Sequence, residues 1–384
     1  VAAIGIAGAG LLGRLLAWRL APAHEVTVFD PARGPQAVAD GRGAAAFTAA
    51  GMLSPLAELE CGGPRVAALG WRSIALWQEV AQALERALAA HPVRIDEPLP
   101  AACGDCNACA AAVQGRAQPI ELRTLGSLLV AHGSDLGAAQ RVLARLAQTP
   151  EAAGPEGGPQ PVDSWALAML EPALDPRLHA WLLPGEGQIL PMQVMLALYA
   201  AAPGVCWRWG TRVREVVPGR MLLDDGRAQD FDLAIDVRGV GARPQVPVRG
   251  VRGEIVWLHA PGVKLNRPVR LLHPRHRVYL VPRPCEHIVV GASEIESEDR
   301  SPVSLRSAVE LLAAAHSVIP ELAEARIKHL ETNLRPALPD NEPRIEHAPG
   351  LLRINGLYRH GWLLAPALVE QALAEAPLET EHVG

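Results

Sequence analysis

The sequence predicts an α/β protein of two domains, one a Rossmann-like nucleotide-binding domain and the other an α+β domain built on an antiparallel sheet. Three observations predict it. The chain opens with a strand, a glycine turn and a helix, "IGIAGAGLLGRLLAWRL", that run into a second strand, "EVTVFD", which is the order and periodicity of a βαβ unit. The C-terminal stretch returns to that pattern with "LLRING", another Gly-rich turn and a helix through "PALVEQALAEA". Between them, "GEIVWLHAP", "RVYLVPR" and "HIVVGAS" are β-rich runs separated by turns, as an antiparallel sheet requires.

Length agrees with this division, since 384 residues are enough for two domains. With 49% apolar residues, 20% charged and a net charge of −5, the chain has an ordinary globular composition, without the basic excess of a nucleic-acid-binding protein. The cations are nearly all arginine, Lys264 and Lys328 being the only lysines. An arginine therefore means little here without its neighbours. The six cysteines read as reduced thiols, which implies a cytoplasmic location. The nucleotide-binding unit begins at once, leaving no room for a signal peptide. No apolar run approaches the roughly 18 residues of a membrane helix. The expected partners are small molecules, without nucleic acid or membrane. Oligomeric state is left open.

The elements follow in order. Residues 70–90 form a long amphipathic helix, and "QPIELRTLGSLLVAH" is extended structure leading into a helix at 135–148. "TPEAAGPEGGPQPVD" is a Pro/Gly-rich loop at which the chain passes between domains. "GEGQILPMQVMLALYAA" is a helix behind a turn, 207–245 holds short strands, and a helix occupies 303–316. Residues 1–90, 163–245 and 333–384 are assigned to the cofactor domain, and 91–162 and 246–332 to the substrate domain.

Gly8-x-Gly10-x-x-Gly13 lies between a strand and a helix, the context that gives this motif its chemistry. Gly8 makes the tight turn, Gly10 lets the backbone approach a pyrophosphate, and Gly13 lets helix and strand pack. The helix N-terminus supplies amides to the anion. Asp30 ends the second strand, where a carboxylate accepts ribose hydroxyls and disfavours a 2′-phosphate. The motif does not separate NAD from FAD, but a second strand-turn-helix at the far end of the chain points to a cofactor that spans the molecule. "AAAFTAAGMLSP", with Gly51 and Met52, offers small residues for close approach to a flat ring. A helix beginning near Gly361, behind "YRHG", would aim its amides at a reduced flavin.

The stretches "GAGLLG", "TAAGMLSP", "GEGQILP", "RGVRGEIV", "YLVPR" with "IVVGAS", "LRPALPD" and "GLYRHGWLLAPAL" occur in one order over nearly the whole chain. In them the sequence resembles the amino-acid-oxidising flavoproteins of the D-amino acid oxidase superfamily, and most of all its glycine oxidases associated with thiamine biosynthesis. The resemblance implies FAD as cofactor. It places Leu11, Leu12, Asp30 and Pro31 along the adenosine diphosphate, and Ala45, Ala46, Ala50, Gly51 and Met52 beside the flavin end. It further implies that Val213 offers its backbone to the adenine, and that Leu357, Tyr358, Arg359, His360, Gly361, Trp362 and Leu363 wrap the ring. Arg335 matches the arginine that pairs with the substrate carboxylate and Tyr279 the hydroxyl beside it, with Met52 and Glu294 also at the substrate. The implied reaction moves a hydride from the α-carbon of a small amino acid or amine to the flavin. Hydrolysis of the imine follows, and O2 reoxidises the flavin to give H2O2. The cofactor does the hard chemistry, so no side chain is assigned as a catalytic base.

Four features depart from the family pattern or qualify it. Arg238 stands where relatives have a small residue, and Glu294 where they have an apolar one. "CGDCNAC" places Cys103, Cys106 and Cys109 at metal-ligand spacing, but no second cysteine pair follows and no metal is assigned. Asn333 replaces the cysteine that holds flavin covalently in some relatives, so FAD is expected to be dissociable. Three other readings stay open: a dehydrogenase passing electrons to a quinone or protein, a flavin monooxygenase, and an FAD-holding subunit without catalysis.

Overall fold

The computed structural model describes residues 1–38, 41–59, 62–90, 119–149, 154–273 and 277–375. Cys103, Cys106 and Cys109 lie outside these.

The first strand, Ala3–Ala7, sits at the centre of a six-stranded sheet. The order is Arg344–Ala348, Leu351–Asn355, Leu233–Asp236, Ala3–Ala7, Glu25–Asp30 and Cys206–Trp209. All neighbours are parallel except the Arg344–Ala348 edge. Ile4 and Ile6 are fully buried, which is why this strand reads as a continuous apolar run. Helices Leu11–Leu20, Pro64–Ala90, Pro191–Ala200 and Gly361–Glu375 pack into the same core. In Pro64–Ala90 the buried residues Gly70, Ile74, Trp77, Ala81, Leu84 and Leu88 recur at three- or four-residue steps, one stripe facing inward. Trp77 is fully buried and donates its Nε1 to the Trp362 carbonyl at 2.8 Å, tying this helix to the last one.

The second sheet has eight strands. They run Arg326–Ala337, Arg249–His259, His287–Gly291, Arg277–Arg283, Val269–Leu272, Ser127–Ala131, His179–Leu183 and Gln160–Val162. Every pair is antiparallel except Ser127–Ala131 with Val269–Leu272. Helix Leu305–Val318 covers one face. Its Ser304 cap accepts the Ser307 amide at 3.1 Å, satisfying one of the free donors at a helix start.

The expected domain division does not follow the sheets at three places. Leu122–Arg123, in the segment given to the substrate domain, pairs with Gly187–Ile189 of the cofactor segment in a small three-stranded sheet. His179–Leu183, in the segment given to the cofactor domain, pairs with Ser127–Ala131 in the second sheet. The boundary at 333 falls inside one uninterrupted strand, Arg326–Ala337. The expectation of reduced thiols does not hold throughout: Cys285 is disulfide-bonded, while Cys206 is free. Among the described residues, no helix is long and apolar enough to cross a membrane.

Candidate active site

Where the two sheets face each other they enclose a cavity of ≈ 1830 Å³, larger than the ~300–1,000 Å³ of an ordinary ligand pocket. One end is built by the N-terminal turn. Gly8 has φ +106°, and a Cβ there would lie 2.7 Å from the Val237 carbonyl oxygen. At Gly13 a Cβ would meet the Gly8 carbonyl oxygen at 1.8 Å, so only glycine lets this helix lie against its strand. Gly13 is also the one expected cofactor residue that does not line the cavity. Arg14 makes the first intrahelical bond, to Gly10 at 3.0 Å. The amides of Leu11 and Leu12 before it are the donors a helix start leaves open, and both residues line the cavity. The two oxygens of Asp30 accept the amides of Ala9 (2.7 Å) and Ala32 (2.8 Å), which fixes the carboxylate at the cavity edge.

Arg238 now has a physical account. It pairs with buried Asp236 (Nη2 to Oδ2 2.7 Å) and donates Nη1 to the Val213 and Arg214 carbonyls, each at 3.0 Å. The guanidinium thereby occupies the Val213 carbonyl, the backbone group nearest the role implied for that residue.

The opposite end is the wall between the C-terminal turn and the second sheet. Tyr358 adopts φ +49°, uncommon for a bulky side chain, and its amide bonds the Pro336 carbonyl at 2.8 Å. Helix Gly361–Glu375 starts just beyond it. Nothing lies within 4 Å of a Cβ placed on Gly361, so a side chain there would project into the cavity. Trp362 Nε1 reaches back to the Ala46 carbonyl at 3.0 Å, joining this turn to the small-residue segment. Asn333 donates to the Gly43 carbonyl (3.3 Å) and Thr48 Oγ1 (3.1 Å).

Arg335 and Tyr279 lie on a glycine floor. A Cβ on Gly253 would come within 2.5–2.7 Å of the Arg335 guanidinium, and one on Gly291 within 2.7 Å of the Tyr279 hydroxyl. Arg335 donates Nη1 to the carbonyls of Ser293 (3.0 Å) and Arg252 (3.4 Å). Among the described residues no carboxylate meets it. Burial pushes its pKa down and that of Tyr279 up.

Two residues of this wall carried no assignment from the sequence. Glu58, 7% exposed, accepts a hydrogen bond from Arg270 Nη2 at 2.7 Å, and its other oxygen lies 3.2 Å from Arg359 Nε and 3.3 Å from His360 Nδ1 without a hydrogen bond. Burial alone would raise its pKa, but Arg359, Arg270 and His360 together hold it well below the usual carboxylate range. Arg270, 5% exposed, leaves Nε and Nη1 without an acceptor. The signal for both was a charge inside an apolar run, "SPLAELE" and "RPVRLLH". Their partnership joins positions 212 residues apart, which no local pattern displays. Glu294 bonds Arg359 Nη1 at 3.1 Å and also the Tyr358 hydroxyl, and its side chain is 43% exposed. It lines the cavity with its charge already engaged. Among the described residues no His/Cys/Asp/Glu group could hold a metal ion.

The glycine turn with its open amides, an acid ending the second strand, a cavity spanning both sheets and free space before a second helix N-terminus define a dinucleotide-binding flavoprotein fold. The chain belongs to the DAO family, described as FAD dependent oxidoreductase, which matches residues 3–375. It is an FAD-dependent oxidoreductase. It is 34% identical over 368 residues to a Rhizobium etli protein named as a thiamine biosynthesis oxidoreductase, ThiO, covering 94% of this chain and 92% of that one. Against a glycine oxidase of Geobacillus kaustophilus it is 28% identical over 292 residues, 66% of this chain and 76% of the relative. Two solved structures share the fold. Glycine oxidase from Geobacillus kaustophilus has a TM-score of 0.76 at 23% identity, covering 97% of this chain and 93% of that one. Iminodiacetate oxidase from Chelativorans sp. BNC1 has 0.77 at 23%, covering 98% and 97%.

Proposed function

We propose that the chain oxidatively deaminates glycine or another small amino acid, with O2 as the final acceptor, giving an oxo acid, ammonia and H2O2. The observation that carries this reading is Arg335, a partly buried guanidinium on the cavity wall with no carboxylate of its own. A buried cation left uncompensated is costly, and a substrate carboxylate supplies the missing anion. When bound, FAD removes two electrons from the amine-bearing carbon and passes them to dioxygen. The protein's share is orientation and exclusion of water. The Arg335 fork grips the carboxylate from the glycine floor, and the Tyr279 hydroxyl bonds it from the neighbouring side. Leu357 through Leu363, with Ala45, Ala46, Ala50, Gly51 and Met52, hold the flavin end. Leu11, Leu12, Asp30, Pro31 and Val213 hold the adenosine end. Similarity to proteins named ThiO and glycine oxidase supports the same reaction.

The test is anaerobic mixing with a panel of amines while flavin absorbance is followed, and then a peroxide assay after air is admitted. Glycine, sarcosine or a small D-amino acid should bleach the flavin. Bleaching by none of them overturns the reading, and bleaching without peroxide in air indicates another electron acceptor. Arg335→Leu should lower kcat/KM by roughly 10²–10³-fold, equivalent to about 3–4 kcal/mol, with FAD still bound. Loss of FAD instead would make Arg335 structural.

A further inference from the structure

Four guanidinium groups act on Tyr279: those of Arg335, Arg359, Arg270 and Arg283. Three of them line the cavity and the fourth does not. Arg283 is turned away, donating to the Ala50 carbonyl at 2.5 Å and the Pro282 carbonyl at 3.1 Å. Of the three, Arg270 is paired with Glu58, and Arg359 is bracketed by Glu58 on one side and Glu294 on the other. Of these three, Arg335 alone faces the cavity without an acid among the described residues. The geometry points to Glu58 and Glu294 as specificity-determining residues that restrict this site to substrates bearing one carboxylate. This rests on the proposal that Arg335 binds a substrate carboxylate.

The physical argument is one of charge placement. A first carboxylate meets an open fork at Arg335. A second on the same small molecule would approach Arg270 or Arg359, where a carboxylate of the protein already stands. There it must displace that acid or sit beside a like charge in a poorly solvated wall. Arg270 is the more telling of the two. It is nineteen-twentieths buried and keeps two nitrogens without an acceptor, so an anion-binding group is present but is masked by a single acid. Neutralising Glu58 removes the repulsion and leaves the Arg270 fork open. The variant should therefore gain a second anion site, an outcome that general damage to the fold would not produce.

The test uses FAD-loaded protein and two carboxylates that carry no amine, acetate and malonate, with binding read from the perturbation of flavin absorbance at pH 8. The wild-type protein should bind malonate no more tightly than acetate. Glu58→Gln should shift the affinity ratio towards malonate at least tenfold. Glu294→Gln should shift it in the same direction by about threefold, because its partly exposed charge is screened by solvent. A ratio within twofold of wild type in Glu294→Gln and in any Glu58→Gln protein that retains FAD overturns the proposal. So does tighter malonate binding by the wild type, or no perturbation by either anion. Neither ligand can be oxidised as an amine, so the result stands apart from amino-acid turnover. If none of the amines bleaches the flavin, the oxidase reading falls while the acetate and malonate ratio still decides this one.

Discussion

Glu186 is a buried acid whose titration is displaced by its surroundings. It is fully buried beneath the Pro55–Glu58 turn, accepts the Ala57 amide at 3.0 Å, and is bonded closely by the Ser127 hydroxyl. Burial pushes its pKa up to about 7, against the hydrogen bonds from Ser127 and Ala57 that oppose the rise. The folded state therefore holds this proton more tightly than the unfolded chain, whose glutamate titrates near 4.5. The stabilisation from the protonated form is fully present below pH 4.5 and is lost as pH rises through about 7, to a total of ~3 kcal/mol. Glu186→Gln, neutral at every pH, should escape that loss. Denaturant unfolding at pH 5 and pH 8 should show wild-type stability falling more than that of the variant. Parallel pH curves would mean that Glu186 is ionised in the fold. The same carboxyl steadies the backbone that carries Glu58, yet the two acids are pushed in opposite directions: burial dominates at Glu186, while Arg359, Arg270 and His360 outweigh it at Glu58.

Elements divide by how locally their causes act. The N-terminal strand-turn-helix is set by three glycines within six residues, and Gly13→Ala shows how strictly. Its Cβ would meet a carbonyl oxygen at 1.8 Å, a backbone atom that cannot rotate aside. We expect a loss of at least about 3 kcal/mol, beyond the usual penalty for an overfilled core, and weaker FAD retention. Thermal unfolding and the flavin-to-protein absorbance ratio will measure both. Such local causes made the opening βαβ unit, the long helix ending at Ala90, the antiparallel runs and the last helix legible in the sequence. What was not legible depends on long-range pairing. His179–Leu183 is a short strand with nothing in its own sequence to say which sheet it joins, and its place follows from Ser127–Ala131 opposite. Arg326–Ala337 reads as a domain crossing because its second half faces the cavity, yet both halves pair with Arg249–His259. Of the cavity's lining, the residues with motif neighbours were legible. Glu58 and Arg270 were not, since each is explained only by the other.

On the scale of the whole molecule, the cavity is the contact between two sheets rather than a dent in either. Gly8, Asp30 and Ile354 come from one, and Gly253, Tyr279 and Arg335 from the other. A ligand bridging both should stabilise them together. FAD at 100 times its dissociation constant contributes about 2.7 kcal/mol, so removing it should lower Tm by roughly 3 °C for a chain of this length, reversibly on adding FAD back. A Tm indifferent to FAD would mean that the folded chain does not bind it preferentially over the unfolded one. The closing turn has a further consequence for the birth of the protein. Strand Leu351–Asn355 and residues 357–363 supply both a sheet neighbour and one wall of the cavity. On the ribosome, then, the N-terminal turn emerges early but without that wall. If residues 357–363 hold the flavin as proposed, FAD should be captured only after translation has carried Leu363 clear of the exit tunnel, and a polypeptide stalled before that point should stay colourless however much flavin surrounds it.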